Sequence, residues 1–262
     1  MTMQVSMFGA SEATMPKAFE GKTIYETKGR AREYRELACN LYSGCGHGCV
    51  YCYAPDIIRQ DRQRFYEGGQ SRTGILRRLE SDALQYGEAG ELRQVLFCFT
   101  SDPYQTAEAP YATTRTAIEI CHRHGLNVCA LTKGGSRALR DLDLFSDGDS
   151  FASTLTLLDS ASSLQWEPGA ALPDDRMATL EAFHDKGIPT WVSLEPVIDP
   201  DVTLEIIRKT HSFVDEFKVG RLNYHARANS INWRKFALDA IATLEGLGCR
   251  YYLKQDLQRL LG

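Results

Sequence analysis

The residues best suited to chemistry lie in one short stretch, Gly44-Cys45-Gly46-His47-Gly48-Cys49-Val50-Tyr51-Cys52-Tyr53. Cys45, Cys49 and Cys52 are spaced four and three residues apart, with glycines at 44, 46 and 48. That pattern suits a loop folded back so that three sulfurs face one point. Thiolates are soft ligands that select iron–sulfur clusters, zinc or copper(I). A cubane cluster takes four cysteines, so three protein ligands leave one iron open to a substrate or cofactor. The rival is a structural zinc loop, which needs a fourth ligand to close its tetrahedron. His47 and Cys39 are the candidates for that place. His47 would strain so tight a ring, and Cys39 lies in the apolar run Leu37-Ala38-Cys39-Asn40-Leu41-Tyr42.

The same cysteine spacing, with Tyr51 directly before the last thiol, resembles the signature of the radical S-adenosylmethionine (SAM) superfamily. The wider run from Asn40 to Cys45 and the Tyr53-Ala54-Pro55 that follows resemble the spore photoproduct lyase and DNA repair photolyase-like branch, as does the lead-in Gly29-Arg30-Ala31-Arg32-Glu33-Tyr34. The resemblance implies a [4Fe-4S] cluster on Cys45, Cys49 and Cys52, with SAM chelating the open iron. It implies reductive cleavage of SAM to a 5'-deoxyadenosyl radical that takes hydrogen from a substrate C–H bond. An electron donor such as flavodoxin or ferredoxin is implied as partner.

Such a loop needs strands to hold it. Apolar runs read as strands at 37–43, 93–100, 126–132, 151–157, 189–195, 213–219 and 249–254, and helical patterns fill 70–87, 111–124, 136–145, 174–187, 201–211 and 230–247. The alternation predicts βαβ units and a parallel sheet. Periodicity alone does not choose between a doubly wound sheet and a barrel. The resemblance does: it implies an α/β fold with a partial (β/α)6 TIM-like barrel as a single domain over 31–262. Residues 1–30 are expected to form a loosely ordered N-terminal extension.

Parallel barrels place chemistry at the carboxyl ends of their strands. By resemblance, Ser101 and Asp102 after the second strand hold the methionyl amino group of SAM; a turn closed by Ser-Asp-Pro side-chain bonding is the structural alternative. Lys133 is expected to pair with the methionyl carboxylate, or else to be surface charge. Ser153 or Thr156 on the fourth strand is expected to contact SAM, with the inward face left open. Arg176 is expected either to hold a carboxylate or to pair with Glu167. Tyr51 and Tyr53 match catalytic positions of the lyase. Glu195, Arg221, Asn223, Tyr224 and His225, with Lys254 and Gln255, are the substrate-side candidates.

In spore photoproduct lyase a cysteine before a Thr-Ser-Asp motif returns hydrogen to a thymine-type product. Here that position is Phe99, with Cys98 expected on the opposite face of the strand. The departure argues against the same repair reaction and leaves isomerisation or hypermodification of a modified thymine, as well as lyase chemistry, as DNA-directed readings. Two alternatives stand beside them: radical modification of a peptide or small metabolite, and a non-catalytic iron–sulfur protein. The first would show a peptide-clasping domain or a cysteine-rich tail, and neither is expected here.

Bulk numbers set the frame. A chain of 262 residues with 43% hydrophobic and 24% charged residues is ordinary for one globular domain. No apolar run reaches the length of a membrane span, and Met1-Thr2-Met3-Gln4 does not start a signal peptide, so a cytoplasmic location is expected. Eight cysteines then read as reduced thiols, with Cys39, Cys98, Cys121, Cys129 and Cys249 as small buried hydrophobes. The net charge of -4 does not suit a protein that coats nucleic acid. Arginines nevertheless cluster before the motif (Arg30, Arg32, Arg35) and after it (Arg59, Arg62, Arg64, Arg72, Arg77, Arg78). They are expected either to meet phosphates or to form local ion pairs.

Overall fold

The computed structural model describes residues 23–262. In chain order the strands are β1 (Ile24–Glu26), β2 (Leu37–Cys39), β3 (Tyr42–Ser43), β4 (Gln70–Ser71), β5 (Val95–Phe97), β6 (Val128–Thr132), β7 (Ser150–Thr154), β8 (Thr190–Val197), β9 (Glu216–Arg221) and β10 (Arg250–Leu253). The α-helices are α1 (Ala54–Ile57), α2 (Arg62–Tyr66), α3 (Ile75–Glu88), α4 (Thr113–Arg123), α5 (Ser160–Trp166), α6 (Pro173–Asp185), α7 (Pro200–Thr210), α8 (Trp233–Gly246) and α9 (Gln255–Gln258), with a run of 3-10 helix over Gly135–Leu144.

Eight strands form one sheet in the order β1-β2-β5-β6-β7-β8-β9-β10, while β3 and β4 make a separate ribbon. Within the eight-stranded sheet β1 runs antiparallel on β2 and every other pairing is parallel, while β3 and β4 pair antiparallel in their ribbon. This is the expected α/β single domain, an open and mostly parallel barrel-like sheet. Each expected strand is present, and each expected helical stretch is helical, the one over 136–145 as 3-10 helix. Among the described residues no helix is long and apolar enough to cross a membrane.

The departures have local causes. The strand expected over 37–43 stops at Cys39, where the Asn40 side chain turns to accept from the N–H groups of Phe99 and Thr100. Helix α3 begins five residues later than the expected 70, after Gln70–Ser71 pair with β3 and Gly74 takes a left-handed conformation. Most of the expected 1–30 extension lies outside the described residues. Its last part is built into the sheet: Ile24 is fully buried, and the N–H groups of Thr23 and Ile24 donate to Asp82 of α3.

Alternation along the strands sorts the core into two faces. Leu37, Cys39, Val95, Phe97, Val128, Ala130, Phe151, Val192, Phe217 and Val219 face the helices. Inside the barrel sit Ala38, Leu96, Cys129, Ala152 and Trp191, with Tyr25, Tyr34, Phe99 and Leu131 packed on them.

The strand order leaves β1–β2 and β10 as opposite edges, and Gly29–Tyr34 bridges them. Glu33 accepts from Tyr252 Oη and from Gln255 N at 3.2 and 2.7 Å. Lys218 of β9 donates to the carbonyls of Glu33 and Tyr34. Burial and the nearby Arg35 guanidinium push the Lys218 pKa down to about 8. The lead-in segment picked out by resemblance is therefore a strap across the open side of the barrel.

Candidate active site

The cysteine loop follows directly on β3, just beyond the end of β2, and is held by backbone geometry that its glycines permit. Gly44 has φ +80°, and a Cβ there would meet Phe65 O at 2.8 Å. Cys45 N donates to Phe65 O, Val50 N to Trp166 O, and Gly169 N to His47 O. The Gln105 side chain stitches the loop from beneath: its Oε1 accepts from Gly46 N and Gly69 N, and its Nε2 donates to Gly44 O and Asp102 O. From α2, Arg62 donates to Cys52 O and Tyr66 to Cys49 O. Cys49 is buried, Cys45 and Cys52 half-buried, and all three are free thiols.

Two buried carboxylates brace this loop. Asp102 accepts from Tyr104 N and Thr132 Oγ1 on one oxygen and from Lys133 N on the other, and His47 Nε2 lies 3.0 Å from that second oxygen. Burial alone would raise its pKa, but His47, Thr132 and the Lys133 N–H outweigh it and hold the carboxyl well below the usual range. With its lone pairs filled by protein, Asp102 is a tie between the cysteine loop and the ends of β5 and β6. The Asp102–Tyr104 bond is the turn alternative noted from the sequence. Ser101 stands next to the Cys98 thiol.

Glu167, the second brace, is 1% exposed, as is its partner Arg176, 2.5 Å away. Tyr51 and Thr156 donate to the same Glu167 oxygen. Arg176 also donates to the carbonyls of Ala171 and Thr154. Burial opposes ionisation of Glu167, yet Arg176, Lys133 and Tyr51 together keep its pKa lowered. Of the two roles expected for Arg176, pairing with Glu167 is the one the structure contains. Thr156 is committed to the same brace. Ser153 shares a strand face with Phe151 and Leu155, towards the helices, and donates to Thr132 O. Neither side chain is open to a ligand.

Lys133 is half-buried with its ammonium 5.5 Å from the centre of the Tyr51 ring, between Cys49 and Glu167. Among the strand-end candidates it is the cation on the cysteine side. Tyr53 is 44% exposed and donates to Phe99 O.

The substrate-side candidates divide. Glu195 joins Tyr34, Arg30 and Lys254, with Lys254 Nζ at 2.6 Å and Arg30 Nη2 at 3.3 Å. Lys254 is 1% exposed, and its ammonium sits 3.1 Å from the centre of the Tyr34 ring. Asn223 and Arg30 both reach Asp256. Arg221 instead packs over Trp233 on the helix side. Tyr224 is 94% exposed, and His225 caps the turn at 226–230 with its ring against Trp166. Sequence reasoning misses Gln105 and Asp256, weighs His47 only as a zinc ligand and meets Tyr34 only within the lead-in segment. Their partners are distant in sequence, so no local pattern reveals the bonds they make.

Residues 39–214 match the family model described as the radical SAM superfamily. The chain belongs to this superfamily. An uncharacterised protein of Methanocaldococcus jannaschii is 26% identical over 210 residues, covering 78% of this chain and 76% of that protein. An uncharacterised protein of Mycobacterium tuberculosis is 28% identical over 173 residues, and there the match spans 63% of this chain and half of the relative. Among solved structures, spore photoproduct lyase with bound SAM and a dinucleoside spore photoproduct superposes with TM-score 0.66 at 15% identity, covering 84% of this chain and 76% of that one. SuiB of Streptococcus suis bound to SAM gives TM-score 0.65 at 12% identity, covering 86% of this chain and 51% of that chain.

Radical SAM enzymes use a [4Fe-4S] cluster and SAM, and three free thiols on one loop are the type of donor such a cluster takes. Cys45, Cys49 and Cys52 would each hold one iron, and the Lys133 ammonium, which feels the Cys49 thiolate, would offset part of a cluster's negative charge there. Burial pushes the Cys49 thiol up to about 12, so metal must displace its proton. A zinc site fits poorly. Both ring nitrogens of His47 face acceptors, Gly169 O and Asp102, and Cys39 is buried in β2. Neither candidate is left as a fourth ligand.

Proposed function

We propose that this radical SAM enzyme acts on a nucleic-acid base, with a modified thymine in DNA as the substrate class, in a lyase, repair or isomerisation reaction. The cluster and SAM, when bound, supply a 5'-deoxyadenosyl radical for hydrogen abstraction. The chain's own residues position the target. The observation that carries the reading is the aromatic wall inside the barrel: Phe99 and Tyr34 meet edge to face at 5.5 Å, with Trp191 6.2 Å from Tyr34. Phe99 offers a part-exposed ring that suits a planar heterocycle, backed by Tyr34 and Trp191, which are themselves covered by Lys254 and by Arg35 and Lys218. Beyond the wall lie Glu195, Arg30 and Asn223, groups able to read polar base edges.

Cys98 belongs to the helix-side core, where its sulfur accepts from Leu41 N, while Phe99 takes the inward position. Among the described residues no thiol stands at the inward end of β5. A reaction in which the product recovers hydrogen from 5'-deoxyadenosine needs none. The likeness to spore photoproduct lyase with its dinucleoside lesion supports a base-directed reading. The SuiB structure bound to a precursor peptide keeps peptide substrates in the test.

Anaerobic turnover with thymine-type oligonucleotides deuterated at every C–H position of the base decides it. Deuterium entering 5'-deoxyadenosine and returning to product is the expected result. SAM cleavage without any label transfer would remove the DNA base as substrate. No 5'-deoxyadenosine at all would point to a non-catalytic protein.

A further inference from the structure

The arginines that follow the cysteine motif are offset by acids on the same turns, Arg59, Arg62 and Arg64 standing among Asp56, Asp61 and Glu67. Arg137, just beyond the carboxyl end of β6, is placed differently. It is half-buried, and among the described residues it has no carboxylate partner. Its Nε donates to the Tyr104 carbonyl at 2.8 Å, while its Nη2 is buried with no hydrogen-bond partner and its Nη1 makes no bond to the described residues. Leaving a charged donor unmet out of water is costly. The position is nevertheless built into the fold: Gly134 lets the 3-10 run sit against Tyr104, since a Cβ there would meet Tyr104 O at 2.6 Å.

Arg137 and Arg140 lie at a partly enclosed hollow of about 160 Å³ whose other walls are Tyr104, Gln105, Glu108 and Ala109. A water's share of liquid volume is about 30 Å³, so the hollow holds a few waters or one tetrahedral oxyanion. The acceptor side chains in its walls are spent. Glu108 accepts from Thr114 N and Arg140 Nη2 on one oxygen, and from Tyr42 Oη and Thr113 N on the other. Gln105 spends its oxygen on Gly46 N and Gly69 N and its amide N–H groups on the carbonyls of Gly44 and Asp102. Arg140 uses Nε and Nη2 on Asp141 and Glu108 and keeps Nη1. Formal charge does not choose an occupant, because Arg115, Arg137 and Arg140 stand against Glu108, Asp141 and Asp143. Hydrogen-bond direction does, since the side-chain capacity left at the two arginines is all guanidinium N–H.

We propose that this hollow binds a phosphate-type oxyanion, either free or carried on a nucleic-acid backbone, with Arg137 and Arg140 as its donors. Guanidinium forks match the oxygens of such a group, and a tetrahedral group has enough of them to serve both arginines at once. It also supplies the counter-charge that Arg137 lacks, which water does not. The hollow backs onto Gln105, so its occupant props the side chain that stitches the cysteine loop.

The test titrates inorganic phosphate into the parent holoenzyme and into Arg137→Gln by calorimetry, with acetate at equal ionic strength as the comparison anion. We expect saturable phosphate binding in the parent, weakened by about tenfold or more in Arg137→Gln. Arg77→Gln, at an exposed arginine outside the hollow, should bind as the parent does. Phenylglyoxal labelling of the parent, read by mass spectrometry, needs no variant: phosphate should protect Arg137 and acetate should not. A fluorescent thymine oligonucleotide then separates the two sources. If its affinity falls in Arg137→Gln and phosphate competes with it, the group is a backbone phosphate. If its affinity is unchanged while phosphate still binds through Arg137, the group is free phosphate. Equal phosphate affinity in parent and Arg137→Gln, protection by acetate as strong as by phosphate, or neither saturation nor protection in the parent would each overturn the site.

Discussion

The two ends of the catalytic mouth are built on opposite plans. On the cysteine side, Asp102 and Glu167 are sealed from solvent and their oxygens are taken up by protein groups. On the far side, Glu195, Asp256 and Arg30 have side chains 16%, 19% and 50% exposed, and the strap supplies two of their partners. Buried, filled networks hold one geometry and cost much to break; part-exposed ones yield to a ligand. The cysteine end is therefore rigid, and the far end is adaptable.

The sharpest test of that contrast is the loop itself. Cys45→Ala, Cys49→Ala or Cys52→Ala should each abolish SAM cleavage and bring iron content of the reconstituted protein close to zero. Full iron occupancy in any one of them would reject its assignment as a ligand. Next in size is Arg176→Met, which leaves Glu167 as an uncompensated buried charge. Removing one partner of such a pair costs about 3–5 kcal/mol. Urea denaturation should show it, with Glu167→Gln/Arg176→Met recovering part of the loss. A cost within about 0.5 kcal/mol, as at an ordinary surface site, would mean the brace is not rigid.

What could be read from the sequence follows the same division. The cysteine spacing and glycines are contiguous, so the loop is legible, and long apolar runs made the seven parallel strands legible. Asp102 and Thr156 were legible as strand-end polar residues but not in their work, because a side chain's lone pairs are filled by groups that folding brings in. Asp102 meets His47, 55 residues earlier, and Thr132, 30 later. The strap was visible only as a resemblance. Its bond from Tyr34 to Glu195 spans 161 residues, and no periodic pattern encodes that pairing. The face Ser153 presents was equally hidden, since a strand with polar and apolar residues alternating fits either orientation until its neighbours are placed.

A smaller effect is expected at Asp102, and pH gives it a sign. Its folded pKa is depressed relative to an ordinary carboxyl, so its contribution to stability is fully present above about pH 4 and is lost as pH falls towards the folded value. Asp102→Asn should cost about 1–3 kcal/mol at pH 7 through unpaired donors around it. The gap between variant and parent should narrow on acidification. A gap that instead widens below pH 4 would mean that Asp102 is not held ionised by its neighbours. Iron loading of this variant should fall as well, because His47 loses one of its two anchors within the loop.

The mildest change asks whether the two ends are separable at all. Tyr34→Phe removes one hydroxyl from Glu195 and leaves Lys254 and Arg30 on the same carboxylate. The ring still packs against Phe99 and Trp191, so the cost to stability should be about 1 kcal/mol or less. Iron content and uncoupled SAM cleavage should match the parent, since no group on the cysteine side is touched. With substrate present, the ratio of product to 5'-deoxyadenosine should fall by about tenfold, because a base edge read by Glu195 meets a carboxylate free to swing towards Lys254. If the variant instead loses iron as Asp102→Asn is expected to, the strap reaches the cluster through the barrel interior, and the mouth acts as one body.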